Sequence, residues 1–119
     1  MSKTSQVGKK AEELAVKFLR KNRYKILERN FATKTGEIDI ICRKGRVIVF
    51  VEVRGSSCPD SFSPEESVNK KKIQKIVRTA QIWLALNKMK KFEYRFDLIA
   101  VQLNSSPFKV NHYQNFISQ

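Results

Sequence analysis

The sequence GEIDIICRKGRVIVFVEVR, residues 36 to 54, contains two apolar runs separated by a glycine. Both runs are rich in β-branched residues, and runs of this kind bounded by glycine are typical of β-strands. We therefore predict a β-hairpin with its turn near Lys44-Gly45. Each strand carries one acid among apolar residues, Asp39 in the first and Glu52 in the second. A carboxylate buried in a core needs a partner, a proton or a metal, so these two acids are the first candidates for a site.

The geometry of the hairpin decides whether the two acids meet. If Arg43 and Arg46 close a two-residue loop, the alternation of side chains places Asp39, Glu52 and Arg54 on one face of the sheet. Asp39 and Glu52 are then diagonal neighbours, ~7–8 Å apart at the Cα level. A four-residue loop keeps this parity, whereas a three-residue loop destroys it.

The composition limits both the size of the core and the class of partner. A chain of 119 residues suits a single domain over residues 1–119, with its core at about 8–103 and a C-terminal tail, 104–119, that has room for an edge strand. Twenty-four Lys and Arg against 11 Asp and Glu leave a net charge of +13. Such an excess favours a nucleic-acid partner over an anionic membrane surface and over a merely solvated basic surface.

The chain lacks the sequence patterns of membrane and secreted proteins. No apolar run approaches the ~20 residues of a membrane-spanning helix, and residues 1–10 lack the apolar middle of a signal peptide. Cys42 and Cys58 do not make a disulfide framework, and neither has the spacing of a zinc motif. We therefore expect a cytoplasmic protein without a membrane partner.

The segments around the hairpin complete an α/β order. Apolar periodicity predicts a helix over residues 8–22 and strands over 24–32 and 93–103. A second helix ends near Asn87 and begins either at Pro64 or, after a break, at Asn69. Three adjacent lysines, residues 70–72, cannot share one face of this helix, so at least one should point back toward the sheet. The expected order is α-β-β-β-α-β, with a short last edge strand as an option.

Several polar residues outside the hairpin also call for an explanation. Glu12 falls at the edge of the apolar stripe of the first helix, where it can face a site at the margin of the core, although helix acids are more often exposed. Glu13 points to the opposite side. Asp97 is expected to be satisfied by Arg95 or by a backbone amide rather than to be catalytic. His112, the only histidine, has no ligand-like neighbours and is a weak catalytic candidate.

An acid on the first helix, an acid on the second strand and Glu-Val-Arg on the third form a recognisable arrangement. It resembles the PD-(D/E)xK nuclease superfamily and, more narrowly, the YraN family of small endonuclease-like proteins. The matching stretches lie between residues 8 and 101 and read GKKAEELAVKFL, ILERNF, GEIDIICRKG, VFVEVR, SPEESVNKKK and YRFDLIAV. The resemblance implies a restriction-endonuclease-like α/β fold with a mixed central sheet flanked by helices. It also implies a metal-dependent endonuclease for branched or structured DNA, similar to Holliday-junction resolvases, and by analogy with them a homodimer.

The same resemblance implies a metal site. Asp39 and Glu52 would be direct ligands of Mg²⁺ or Mn²⁺, and the Val53 carbonyl would complete the protein side. Glu12 would act through water or at a second metal. Hard divalent cations favour oxygen ligands of this kind, and they can activate water and stabilise charge on a phosphate.

The chain departs from the family pattern at the lysine that usually follows the strand acid. Arg54 stands there, and arginine cannot act as a general base, although it can hold a phosphate. Lys72 matches another lysine position of the family and is a candidate to take over the role. Candidate nucleic-acid contacts are the basic residues of the hairpin and of the second helix, Arg43, Arg46, Arg54, Lys70, Lys71, Lys72 and Lys75.

Three classes of function stay open at this stage. The first is the metal-dependent endonuclease, and the second is a nucleic-acid-binding protein of the same fold with weakened or no catalysis. The third is a structural protein in which Asp39 or Glu52 is merely paired with Arg54. Metal-dependent cleavage separates the first class from the others, and salt-dependent DNA binding separates the second from the third.

Overall fold

The computed structural model describes residues 6–56, 69–104 and 106–117. Within these ranges the chain forms two helices and five strands in the predicted order, with the last edge strand present. They are α1 (Gln6–Lys21), β1 (Lys25–Thr33), β2 (Gly36–Lys44), β3 (Val47–Ser56), α2 (Lys70–Leu86), β4 (Glu93–Gln102) and β5 (Lys109–Tyr113). The predicted α/β class is confirmed.

The strands form one mixed sheet in the order β1-β2-β3-β4-β5. All neighbouring strands are antiparallel except β3 and β4, which are parallel. Parallel neighbours need a long crossover, and α2 lies in this connection. The mixed sheet flanked by helices therefore agrees with the predicted architecture. No helix among the described residues is long and apolar enough to cross a membrane.

The two helices cover opposite faces of the sheet. The core under α1 includes Val49, Val51 and Val53, whereas the core under α2 includes Ile48 and Phe50. Because both faces are covered, residues 48–53 of β3 are all buried. This double burial explains the continuous apolar run that marked the strand in the sequence.

The hairpin turn lies one residue later than predicted. Lys44 pairs with Val47, so Gly45 and Arg46 form the turn, and Gly45 has a φ of 60°, which glycine adopts without strain. The expectation that Arg43 and Arg46 close the loop is therefore wrong, because Arg43 pairs with Ile48. The pairing shifts by two residues, so each side chain keeps its predicted face in the regularly paired part of the hairpin, residues 40–44 and 47–51.

Helix α2 begins at the second of the two predicted starts. Asn69 is its N-cap, and the Asn69 side chain accepts a hydrogen bond of 2.9 Å from the backbone amide of Lys72. The alternative start at Pro64 lies outside the described residues. At the other end, Asn87 is the C-cap, as expected.

A buried polar cluster under α1 holds β5 to β4. We call Tyr24, Arg95, Asp97 and His112 the Asp97 cluster. Asp97 is fully buried, lies 2.7 Å from His112 Nε2, and accepts hydrogen bonds from Arg95 at 3.0 Å and from the Asn115 amide at 2.9 Å. Arg95 also donates to the Tyr24 hydroxyl at 2.7 Å. The prediction that Asp97 is satisfied structurally by Arg95 or by a backbone amide is confirmed on both counts.

Candidate active site

A cavity of about 470 Å³ opens on the α2 side of the sheet. Its walls come from the β1–β2 turn, the beginning of β2, the end of β3 and the first turns of α2. Four predicted site residues line it together, namely Asp39, Glu52, Arg54 and Lys72. We call this cavity the acid pocket. It also contains Lys71 and Lys75, and a third acid of the hairpin, the half-buried Glu37, so cations and carboxylates are mixed in the pocket.

Asp39 is held by the neighbouring strand. The side chain is only 3% exposed, and its Oδ2 accepts a hydrogen bond of 2.8 Å from the backbone amide of Val53. The residues on either side of Asp39 pack into different cores, with Ile38 under α2 and Ile40 under α1. Strict alternation would place both on one face, so β2 is irregular at Asp39. The last regular β2–β3 pair is Ile40 with Val51, so Asp39 lies just beyond the regular part of the ladder.

Glu52 is held by two cations from different elements. Its Oε2 lies 2.8 Å from Lys72 Nζ and 3.3 Å from Arg54 Nη2. Glu52 is buried, and a buried carboxylate is stable as an anion only when such partners compensate it. The pairing of Glu52 with Arg54 is also the arrangement expected for a purely structural role.

The cap of α2 explains why Lys72 reaches the pocket. Asn69 fixes the first turn, and successive residues of a helix point about 100° apart. Lys70 and Lys71 are exposed, whereas Lys72 is half-buried and bonded to Glu52. The prediction that at least one of the three lysines points toward the sheet is therefore confirmed.

Glu12 does not line the acid pocket. It is 4% exposed, and its Oε1 accepts hydrogen bonds of 3.0 Å from both Arg29 and Asn30. Burial tends to lower the pKa of Arg29, but the carboxylates of Glu12 and Glu13 outweigh it and hold that pKa above its ordinary value. Asn30 lies level with Asp39 in the β1–β2 register, so the Glu12 carboxylate reaches the sheet one strand away from Asp39. Its role at a metal stays a prediction.

The oxygen donors of the acid pocket fit magnesium by type. The described residues contain no group of three or more His, Cys, Asp or Glu side chains placed to hold a metal ion. Magnesium, however, is usually bound by one or two carboxylates, and water or substrate phosphate completes the shell. Asp39 and Glu52 meet this requirement, and the Val53 carbonyl stays a predicted ligand. Lys72 Nζ and Arg54 Nη2 both lie at Glu52 Oε2, so a cation at that oxygen would compete with them.

The predicted nucleic-acid contacts fall into two groups. Lys71, Lys72 and Lys75 lie at the acid pocket together with Arg54, and the exposed Lys70 begins the same helix. Arg43 and Arg46 lie at the other end of the hairpin, where the turn is roughly 20 Å along β2 from Asp39 at ~3.3 Å per residue. The structure therefore does not bring these two arginines to the site.

The sequence did not predict Thr33, Lys34, Thr35 or the acid Glu37 at this pocket. Lys34 and Thr35, in the β1–β2 turn, line the wall opposite α2. The signal was the polar stretch Thr33-Lys34-Thr35 before Gly36, which separates two strands but carries no motif. Only the tertiary contact with α2 gives the turn its place at the site.

Comparison with known proteins supports the family suggested by the sequence. Residues 11–101 match the model of "Uncharacterised protein family UPF0102". A UPF0102 protein of Persephonella marina is 43% identical over 105 residues, which cover 88% of this chain and 90% of that protein. A UPF0102 protein of Thermotoga petrophila is 45% identical over 106 residues, which cover 89% of this chain and 92% of that protein. A UPF0102 protein of Vibrio campbellii is 40% identical over 116 residues, which cover 96% of this chain and 93% of that protein. Because the family model covers most of the chain and these relatives match along nearly their whole length, the chain belongs to the UPF0102 family.

Proposed function

We propose that this protein is a metal-dependent endonuclease-like protein that acts on structured or branched DNA. The observation that carries the proposal is the acid pocket, in which the buried acids Asp39 and Glu52 are surrounded by Arg54, Lys72 and further cations. A polyanionic substrate and a divalent cation are the ligands that such a mixture of charges suits best. The net charge of +13 supports a nucleic-acid substrate.

In this proposal each residue of the pocket has a separate task. Asp39 and Glu52 hold the metal, which when bound supplies an activated water and neutralises phosphate charge. The Val53 amide orients the Asp39 carboxylate by its hydrogen bond. Arg54 remains protonated, and it positions the phosphate and stabilises the charge that develops on its oxygens. Lys72, on α2, donates a proton to the leaving oxygen or adds a point charge beside it.

A cleavage assay tests the proposal directly. Labelled four-way junctions, duplexes and single strands are incubated with Mg²⁺, Mn²⁺ or EDTA and separated by size. We expect junction cleavage with either metal and none in EDTA. Asp39→Asn should abolish cleavage because it removes a metal ligand, while DNA binding in EDTA persists. A wild-type protein that cuts none of these substrates with either metal contradicts the nuclease proposal.

The second candidate is a nucleic-acid-binding protein of the same fold that does not cut. The observation in its favour is that Lys72 and Arg54 already neutralise Glu52. In that case the wild type binds DNA in a salt-dependent way without cleaving it. If Arg54→Lys then switches on Mg²⁺-dependent cutting, the protein is a binding module with the remains of a nuclease site.

A further inference from the structure

We infer that the DNA backbone docks along a cationic track that runs over the outer side of α2 and leads into the acid pocket. The track consists of Lys34, on the β1–β2 turn, and of Lys71, Lys75 and Arg78 on α2. The inference rests on the proposed function in one respect, the nucleic-acid nature of the ligand. It adds the path of the DNA and assigns Lys34 and Arg78 to the contact surface.

The track lines a second groove, with a volume of about 730 Å³, next to the acid pocket. Of the nine described residues that line it, four are Lys or Arg and none is acidic. Lys34, Lys71 and Lys75 line both cavities, so the groove adjoins the acid pocket. All four cations are exposed, and none of them forms an ion pair with an acid in the described part of the chain. Their charge is therefore available to an external anion.

The spacing of the cations suits a phosphate backbone. Lys71, Lys75 and Arg78 follow the spacing i, i+4, i+7, which places them on one face of α2 over about 10 Å of helix axis. A DNA strand presents one phosphate per ~3.4 Å of duplex axis, so this length matches about three consecutive phosphates. Lys34 faces them from the turn on the other wall of the groove. A single bound anion would need a compact cluster instead of such a row.

A chain of threonine hydroxyls fixes the width of the groove. Thr35 Oγ1 lies 3.0 Å from Thr79 Oγ1, and the Thr79 hydroxyl donates to the Lys75 carbonyl at 2.7 Å. Thr33 Oγ1 lies 2.7 Å from Thr35 Oγ1 and accepts the Thr35 amide. The turn also lies close to the helix, because a Cβ added at Gly36 would be 3.2 Å from Thr79 Oγ1. Thr35 and Thr79 are therefore positioning residues that hold Lys34 against α2.

The test compares two double variants that lose the same side-chain types. Lys34→Gln with Arg78→Gln removes two cations of the track. The matched control, Arg20→Gln with Lys21→Gln, removes one Arg and one Lys, both exposed, from the last turn of α1, which packs on the other face of the sheet. Binding of a labelled four-way junction is measured by fluorescence anisotropy in EDTA, which prevents cleavage, over a series of salt concentrations. Far-UV circular dichroism and the fluorescence of Trp83 verify the fold of each variant.

The expected result is a change in the salt dependence of the track variant alone. Each lost phosphate contact lowers the log–log slope by ~0.9, so the slope should become shallower by about 2. At 0.1 M salt this corresponds to a loss of affinity of about 10- to 100-fold. The control should keep its slope within about 0.5 of the wild type, because long-range charge effects at exposed sites are screened by salt.

Other outcomes overturn the inference in distinguishable ways. Equal weakening of both variants shows that net charge, and not the track, governs binding. Wild-type affinity and slope in the track variant refute the track but leave the proposed function intact. If the wild type does not bind DNA even at low salt, both the track and the proposed function are refuted. Binding of each variant to vesicles with 30% phosphatidylserine is measured as well. A track variant that loses vesicle binding but keeps DNA binding shows that the surface serves a membrane and not DNA.

Discussion

Replacing Asp97 by Asn should destabilise the protein by about 3 kcal/mol, the lower end of the range for breaking a buried ion pair. Asp97 is fully buried, and its oxygens are bonded to Arg95, His112 and the Asn115 amide. Asparagine fills the same volume but presents an NH₂ group to one of these donors and leaves the Arg95 charge uncompensated. The lower end applies because Arg95 keeps its hydrogen bond to the Tyr24 hydroxyl and because 21% of the Arg95 side chain is exposed to water.

The measurement is equilibrium unfolding in urea, followed by the fluorescence of Trp83. This residue is the only tryptophan, is 2% exposed and belongs to the core under α2, so it reports on global unfolding from the face opposite Asp97. For a chain of this length, 3 kcal/mol corresponds to a fall in Tm of roughly 12 °C. Glu93→Gln, at an exposed acid at the start of β4, is the matched control and should change stability by less than about 0.5 kcal/mol.

The same variant should alter stability at acid pH. Burial by itself raises the pKa of Asp97, but its hydrogen bonds with His112 and Arg95 outweigh this and lower the pKa below its usual value of 3.8. A carboxyl with a lowered folded-state pKa stabilises the fold above the unfolded pKa, and this contribution is lost as the pH falls through the folded pKa. The wild type should therefore lose stability more steeply below about pH 4 than Asp97→Asn. A loss of less than 1 kcal/mol at pH 7, or equal acid slopes, would refute the reasoning.

Three further predictions concern the pocket and the core. Arg54→Ala should lower the rate of single-turnover Mg²⁺-dependent cleavage by ~10²–10³-fold, whereas Arg54→Lys should retain the wild-type rate. An unchanged rate in the Ala variant would show that Arg54 does not belong to the site. Gly55→Ala should reduce the free energy of urea unfolding by about 1–3 kcal/mol, because the new Cβ would lie 2.6 Å from that of Ala11 in α1; unaltered stability would mean that α1 can move aside. Burial raises the pKa of Cys42 to about 12, so in a Cys58→Ser background the native protein should not react with a thiol reagent at pH 8 until it is denatured.

Much of the fold could be predicted because it follows from local patterns. The apolar run of β3 marks a strand buried on both faces, and Asn69 supplies the hydrogen bond that an N-cap requires. Helical periodicity places Glu12 at the edge of the apolar stripe of α1 but does not decide that its side chain is buried. The partners of Glu12 were not predictable, because Arg29 and Asn30 reach it only after β1 has packed beside α1.

The details of the site depended on choices that the sequence leaves open. Lys44, Gly45 and Arg46 allow two turn positions, and only the folded pairing selects Gly45-Arg46. The acid pocket also needs contacts between residues far apart in the chain, such as Lys72 with Glu52. Single-sequence periodicity carries no information about such pairs, because it reports on one element at a time.

The Asp97 cluster also has a consequence for synthesis on the ribosome. The chain emerges from its N-terminus onward, so Asp97 leaves the ribosome before His112 and Asn115, which complete its hydrogen bonds. Until they arrive, Arg95 is the partner that compensates the Asp97 carboxylate beside β3, and it offsets only part of the desolvation cost. We therefore expect β4 to dock with its full stability only after β5 has been released from the ribosome. Translation products that stop before His112 should stay unfolded and be removed by proteases.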